Sequence, residues 1–348
     1  MSGQKNSNIQ GTLSYISFLL SGYFIFSTLH KSQNIFISIL FAFITGIITL
    51  FVILIVTGKK ADGRVISKPV FLILGTFSYF LCTFICLMLI TEIIKDTAYI
   101  ADRGVSLYYY LTLATSVLFI SFCLCKGKSV GIFRFSLLCA GGFLIFISIM
   151  FFSIYTTKST VLNIGEISKS AISESVKAGV ISGLFTTIDS AVYIFTLRRF
   201  YEKYDYSLNK KPFITGYLIS FFFIGSYYIL SSAIFGSNLM GSISDPDYAL
   251  IKLIPGMDIT ELVSAVRIVS FVIKSAVYVY ASCLCAKNMF STKKNTVPVL
   301  TVIQYLLMPA VIFVLSIFDN TLGYGAFQHL IYPAVIAFSL CVTLLLKI

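Results

Sequence analysis

Between Gly179 and Phe200 the chain reads GVISGLFTTIDSAVYIFTLRRF, which is apolar enough for a bilayer except at its middle. There Thr186, Thr187, Asp189 and Ser190 cluster around Ile188. A carboxylate in hydrocarbon is unfavourable by at least ~2.5–3.5 kcal/mol on insertion scales, so it must face protein or a water-filled cavity. Any fold of this chain therefore has to enclose Asp189. Gly179 and Gly183 stand on the N-terminal side of the cluster, and Arg198 and Arg199 close its C-terminal end.

The rest of the chain supplies the enclosure. It is 57% hydrophobic and only 11% charged, where a soluble domain carries about 25% charged residues. Apolar runs fall at Thr12–Leu29, Ile35–Thr57, Val70–Ile94, Val105–Cys125, Ile132–Thr156, Val176–Leu197, Phe213–Phe235, Leu262–Met289, Val297–Phe318 and Tyr324–Leu346. Each matches the roughly 20 residues that cross a ~30 Å hydrocarbon core as a helix. The expectation is an all-α integral membrane protein of ten spans, one transmembrane domain over residues 1–348. The first run lacks a small-residue cleavage motif and reads as a retained span.

The net charge of +12 is dispersed over short loops, which speaks for topology and against nucleic-acid binding. The N-terminus, the loops after even-numbered spans and the C-terminus, with Arg134 and Lys287 at the adjoining span ends, hold 17 basic residues against Asp62, Glu202 and Asp205. The alternate loops, with Glu92 and Lys177 at the adjoining span ends, hold seven basic residues and ten acids. By the positive-inside rule the first set is cytoplasmic, and both termini lie inside. Tyr108–Tyr110, Tyr155, Tyr227 and Tyr228 lie near span ends and read as interface anchors.

Polar residues at membrane depth mark three runs. Run 1 carries Ser21-Gly22 near its centre, either a helix break or a close packing contact. Run 6 carries the Asp189 cluster. Run 8 carries Arg267 and Lys274, two turns apart on nearly one face. Lys274 needs a partner or water, whereas Arg267 is near enough to the outer end to snorkel. Runs 1 and 6 are five spans apart, so a duplicated five-span unit would insert them in opposite directions. That is the pattern of inverted-repeat transporters with discontinuous helices. The approximate repeats are 12–156 and 176–346, with helices 1 and 6 broken. Asp189 and Lys274 then either line a polar cavity or form an ion pair that only fixes the fold.

Several stretches in order resemble the B subunit of spore germinant receptors, the GerAB-type family of the amino acid–polyamine–organocation superfamily. Lys126–Ser136 is similar to the family's turn into span 5, and Ser153–Glu166 to the outer segment after it. Gly183–Leu197 resembles its span 6, with Asp189 where the family's acidic residue follows a glycine. Asp247–Lys252 and Val272–Ala281 resemble its outer loop and span 8, including Lys274 before a small residue and aromatics. The prolines usual in spans 1 and 6 are absent, and Asp stands where Glu is commoner. The resemblance implies a LeuT-like 5+5 fold in the cell membrane or spore inner membrane. It also implies a small germinant, commonly an amino acid, and A and C receptor subunits as partners.

On this reading a small ligand sits between spans 1, 3, 6 and 8. The candidate ligand-binding residues are Ser21, Gly22, Tyr79, Thr83, Thr186, Thr187, Asp189, Ser190, Lys274 and Tyr278. The competing reading is a proton- or sodium-coupled secondary transporter for an amino acid or other small solute. The residues give little basis for an enzyme: His30 and His329 lie near span ends without a carboxylate beside them. Eight cysteines lie in or at the ends of apolar runs, and neither C-x-C pair has a neighbouring histidine. They read as small packing residues, and no metal or cofactor is expected.

Overall fold

The computed structural model describes residues 2–26, 29, 32–58, 128–156, 169–203, 210–236, 249–250 and 260–289, with positions 73, 77, 116, 119, 120, 123, 333–337 and 339–341. Regular structure among the described residues is entirely helical: α1 Ser2–Phe26, α2 Ile35–Gly58, α3 Lys128–Thr156, α4 Lys169–Thr187, α5 Ser190–Lys203, α6 Lys211–Phe235 and α7 Thr260–Met289. Four stretches among them are long and apolar enough to cross a membrane: Ile35–Thr57, Val130–Phe152, Ala171–Leu197 and Lys211–Phe235. The protein is therefore a helical membrane protein. Spans 3, 4, 9 and 10 of the sequence reading fall almost wholly outside the described residues.

The outer faces agree with a hydrocarbon surround. Along α2, Phe36, Leu40, Ile44, Ile48, Phe51 and Ile55 form an exposed stripe at helical spacing. On α3 Leu138, Ile145 and Phe152 do the same. Stripes of this size would promote aggregation in water, but they cost nothing against lipid tails.

The chain divides into two compact units. The first comprises residues 1–52, 136–187 and 209–270. In it α1 packs against α6 and α4. The α1–α6 approach is close because Gly216 gives room: a Cβ there would lie 2.9 Å from Tyr15 Cδ1 and 3.3 Å from the Thr12 carbonyl oxygen. Tyr15 meets Phe213 edge-on at 5.1 Å, and Tyr23 meets Phe221 at 6.5 Å.

Between α2 and α4 the contact is backbone to backbone. Ser175, Gly179 and Gly183 recur every four residues on α4, and Ser38, Ala42 and Gly46 do so on α2. Gly179 lies against the Ser38 carbonyl and Gly183 against the Ala42 carbonyl, leaving no space for a side chain at either glycine. Hydrogen bonds close one end of this ladder. Asn34 N donates to Ser175 Oγ and Ser38 Oγ to the Ser175 carbonyl, both at 2.8 Å. Asn34 also caps α2, its Oδ1 accepting from Ile37 N at 3.2 Å. With no hydrophobic drive between helices in lipid, such small-residue packing and hydrogen bonding hold helices together.

The second unit comprises residues 53–135, 188–208 and 271–348. Its described centre is α5 with the C-terminal part of α7. Ala191–Leu197 and Phe271–Val279 are buried at every position, and so on all sides of each helix. A helix buried all round lies away from lipid.

Two expectations are corrected. No break occurs at Ser21-Gly22, and α1 runs unbroken from Ser2 to Phe26. Ser21 Oγ donates to the Phe18 carbonyl at 2.6 Å, so its polarity is satisfied within its own turn. Tyr227 and Tyr228 are not interface anchors. Both are buried and pack edge to edge at 5.3 Å, although α6 ends at Phe235, where the sequence places the end of the run. Tyr155, in contrast, is 82% exposed at the end of α3.

The ladder predicts a contrast between glycines. Gly183→Ala should lower the stability of the purified protein by about 1–3 kcal/mol, as overpacking does. Gly142→Ala, whose Cβ would meet nothing within 4 Å, should be neutral or stabilising by up to about 1 kcal/mol through helix propensity. Thermal unfolding in detergent measures both, and an unaffected Gly183→Ala protein would remove the ladder from this account.

Candidate functional site

Run 6 does break, and the break falls at the carboxylate. Helix α4 stops at Thr187, Ile188 and Asp189 form a turn, and α5 starts at Ser190. Just before the stop, two consecutive threonines bond back into their own helix. Thr186 Oγ1 donates to the Ser182 carbonyl at 2.7 Å and Thr187 Oγ1 to the Gly183 carbonyl at 2.6 Å. Such back-bonding competes with the main-chain ladder and weakens or bends a helix.

After the turn, the Asp189 carbonyl starts the next helix. It accepts from Val192 N at 2.9 Å and from Tyr193 N at 3.2 Å, while Ala191 N donates to the Ile188 carbonyl at 3.3 Å. Asp189 thus occupies the N-cap position of α5. An N-cap aspartate ordinarily turns its carboxylate onto the first-turn amides. Here Asp189 Oδ2 instead accepts from Lys274 Nζ on α7, and both side chains are fully buried. Tyr278, one turn beyond Lys274, points its hydroxyl at the same oxygen from 3.4 Å. Asp189 Oδ1 has no hydrogen-bond partner among the described residues.

A lone carboxylate or ammonium in this interior would carry a desolvation penalty of several kcal/mol. Paired, the two charges cancel. The carboxylate also sits where the positive end of the α5 dipole favours it. What remains is a neutral, buried centre with one oxygen still able to accept a donor.

The residues expected at the site fall into three groups. Asp189, Lys274 and Tyr278 come together in the second unit, which also contains Ser190, buried in the first turn of α5. Ser21, Gly22, Thr186 and Thr187 belong to the first unit and are buried there. Tyr79 and Thr83 lie outside the described residues. Arg267 is half-buried on α7. Sequence reasoning passed over Tyr23 and Tyr217. Tyr217 is fully buried and its hydroxyl donates to the Phe43 carbonyl at 3.0 Å, with its ring stacked on that of Phe43 at 6.0 Å. Glycine at position 46 makes space for that hydroxyl, and this small residue on the facing helix was the available signal.

No protein-family model matches the chain, and no curated protein matches it significantly.

The ion pair predicts strong non-additivity. Asp189→Asn and Lys274→Met should each destabilise the protein by about 3–5 kcal/mol, because each strands the opposite charge. The double variant should recover most of that loss. Unfolding in detergent on all four proteins measures the coupling, and simply additive losses would mean that the two charges do not depend on one another.

Proposed function

We propose that this chain is a membrane subunit that binds a small polar solute, an amino acid being the leading class, and signals its presence through a transporter-like helix arrangement. One observation carries the reading: the helix interruption at Ile188–Asp189 coincides with a buried carboxylate that has a lysine on one oxygen and an open acceptor on the other. Discontinuous helices in transporters serve ligands with freed backbone groups and dipole ends at this depth. The germinant-receptor resemblance, carried by Gly183–Leu197 and Val272–Ala281, falls on the same two elements and supports the assignment to a receptor B subunit. A LeuT-like 5+5 repeat belongs to this proposal, as do A and C partner subunits.

In this mechanism Lys274 pairs with Asp189 Oδ2 within the protein and Tyr278 orients the carboxyl group. A ligand ammonium or hydroxyl takes Asp189 Oδ1 as acceptor, and a ligand carboxylate is drawn to Lys274. Binding favours whichever conformation completes these contacts, which makes occupancy a signal.

The test uses the chain in detergent and in proteoliposomes with a panel of the common amino acids. At a ligand concentration 100 times its Kd, binding should raise stability by about 2.7 kcal/mol. The charge-free double variant D189N/K274M should fold and lose that response, and Tyr278→Phe should weaken it several-fold. An undiminished response in the stable double variant would refute the site. Labelled amino acid uptake separates the sensor from a secondary transporter, because a sensor gives saturable binding with little concentrative flux.

A further inference from the structure

The centre at Asp189 has a charge sum as well as a geometry. Among the described residues, Asp189 and Lys274 are the only Asp, Glu, Lys or Arg side chains that are buried. They belong to the same unit and meet through Lys274 Nζ and Asp189 Oδ2. Their sum is zero wherever the proton between those two atoms resides.

The helices that carry the pair add nothing to this sum. Ala191–Leu197 on α5 and Phe271–Val279 on α7 are buried throughout and hold no Asp, Glu, His, Lys or Arg besides Lys274. Along the whole sequence the other Asp, Glu, Lys and Arg residues lie in loops or at the ends of apolar runs, Arg267 excepted. Arg267 stands roughly 10 Å from Lys274 along the α7 axis and has interactions of its own.

That balance limits what the open Oδ1 can accept. A ligand of zero net charge supplies a donor to Oδ1 and leaves the sum unchanged. A zwitterion does so with both charges matched, its ammonium at Oδ1 and its carboxylate toward Lys274. A further charge on the ligand's side chain finds no opposite charge on either helix, and keeps the desolvation penalty that pairing removes from Asp189 and Lys274.

Given the ligand-binding role proposed above, on which this step rests, we infer that the centre selects its ligand by net charge. It takes amino acids with uncharged side chains and rejects cationic and anionic ones, with polyamines among the rejected. An unpaired buried ion is unfavourable enough to weaken binding by about a hundredfold or more.

The panel of common amino acids contains its own size controls, because asparagine and aspartate, like glutamine and glutamate, differ little except in charge. Thermal-shift titrations of the wild-type chain in nanodiscs at neutral pH compare them without any variant. Every tight binder should carry an uncharged side chain. Aspartate, glutamate, lysine and arginine should each bind about a hundredfold or more weakly than the best of these. A charged amino acid inside that margin overturns the inference, while the ligand site itself stands if D189N/K274M abolishes the binding. If no amino acid binds, the ligand site fails and the inference falls with it. Lys274→Ala supplies a second readout, since a ligand's side-chain ammonium can then stand in for the missing one. Its preference should move toward lysine, and a preference equal to the wild type's would place the selectivity elsewhere and overturn the inference.

Discussion

The buried pair of Lys274 and Asp189 sets the terms for the elements around it. Neither charge is tolerable alone at this depth, and each becomes so only where the other is in reach. That requirement fixes the start of α5 beside the middle of α7 within the second unit. It also explains why Ala191–Leu197 and Phe271–Val279 are buried on every side. A lipid-facing position for either stretch would bring hydrocarbon to the edge of an ion pair. The apolar stripes of α2 and α3 meet the bilayer instead.

The break that frees Asp189 is prepared in the preceding helix. Gly183 participates twice: its missing side chain admits the Ala42 carbonyl, and its own carbonyl accepts the Thr187 hydroxyl. The same turn is therefore locked against α2 and drawn away from regular helical bonding. This arrangement gives α4 a fixed end, and an interruption without such an anchor would fray over several residues. Asp189 then begins α5 with its carbonyl while its carboxylate is spent on Lys274. A residue that could have been an ordinary N-cap is diverted to a second helix.

Much of this was legible from residue types at given depths. A carboxylate and an amine in separate apolar runs must each find compensation, so Asp189 and Lys274 could be matched before any geometry was known. The interruption at Ile188–Asp189 was readable for the same reason. Ser21-Gly22 misled because small polar residues signal either loosening or close packing, and composition does not distinguish a hydroxyl bonded to its own helix from one exposed by a break. The α2–α4 ladder required matching two four-residue periods across 141 residues of sequence, the separation of Asn34 from Ser175. Nothing local announces such a register. Tyr227 and Tyr228 were misassigned although their helix stops where the sequence places it, because nearness to a span end does not reveal whether a ring faces lipid headgroups or is covered by protein.

Whether the Asp189 centre is only a fastening or also a binding site turns on saturation. A pair selected purely to hold two helices gains from filling every lone pair, since unfilled acceptors in a low dielectric are unfavourable. This pair stops short of that. Oδ2 takes the lysine and the more distant Tyr278 hydroxyl, while Oδ1 lacks a hydrogen-bond partner among the described residues. Ser190, with a hydroxyl, lies next in the chain, yet the carboxylate is completed by neither it nor the first-turn amides that an N-cap normally serves. A centre that keeps its charge balanced but its hydrogen bonding incomplete can accept a donor from a ligand without first breaking the pair. That distinction favours a binding role, because ligand exchange then need not expose a bare charge to the membrane interior.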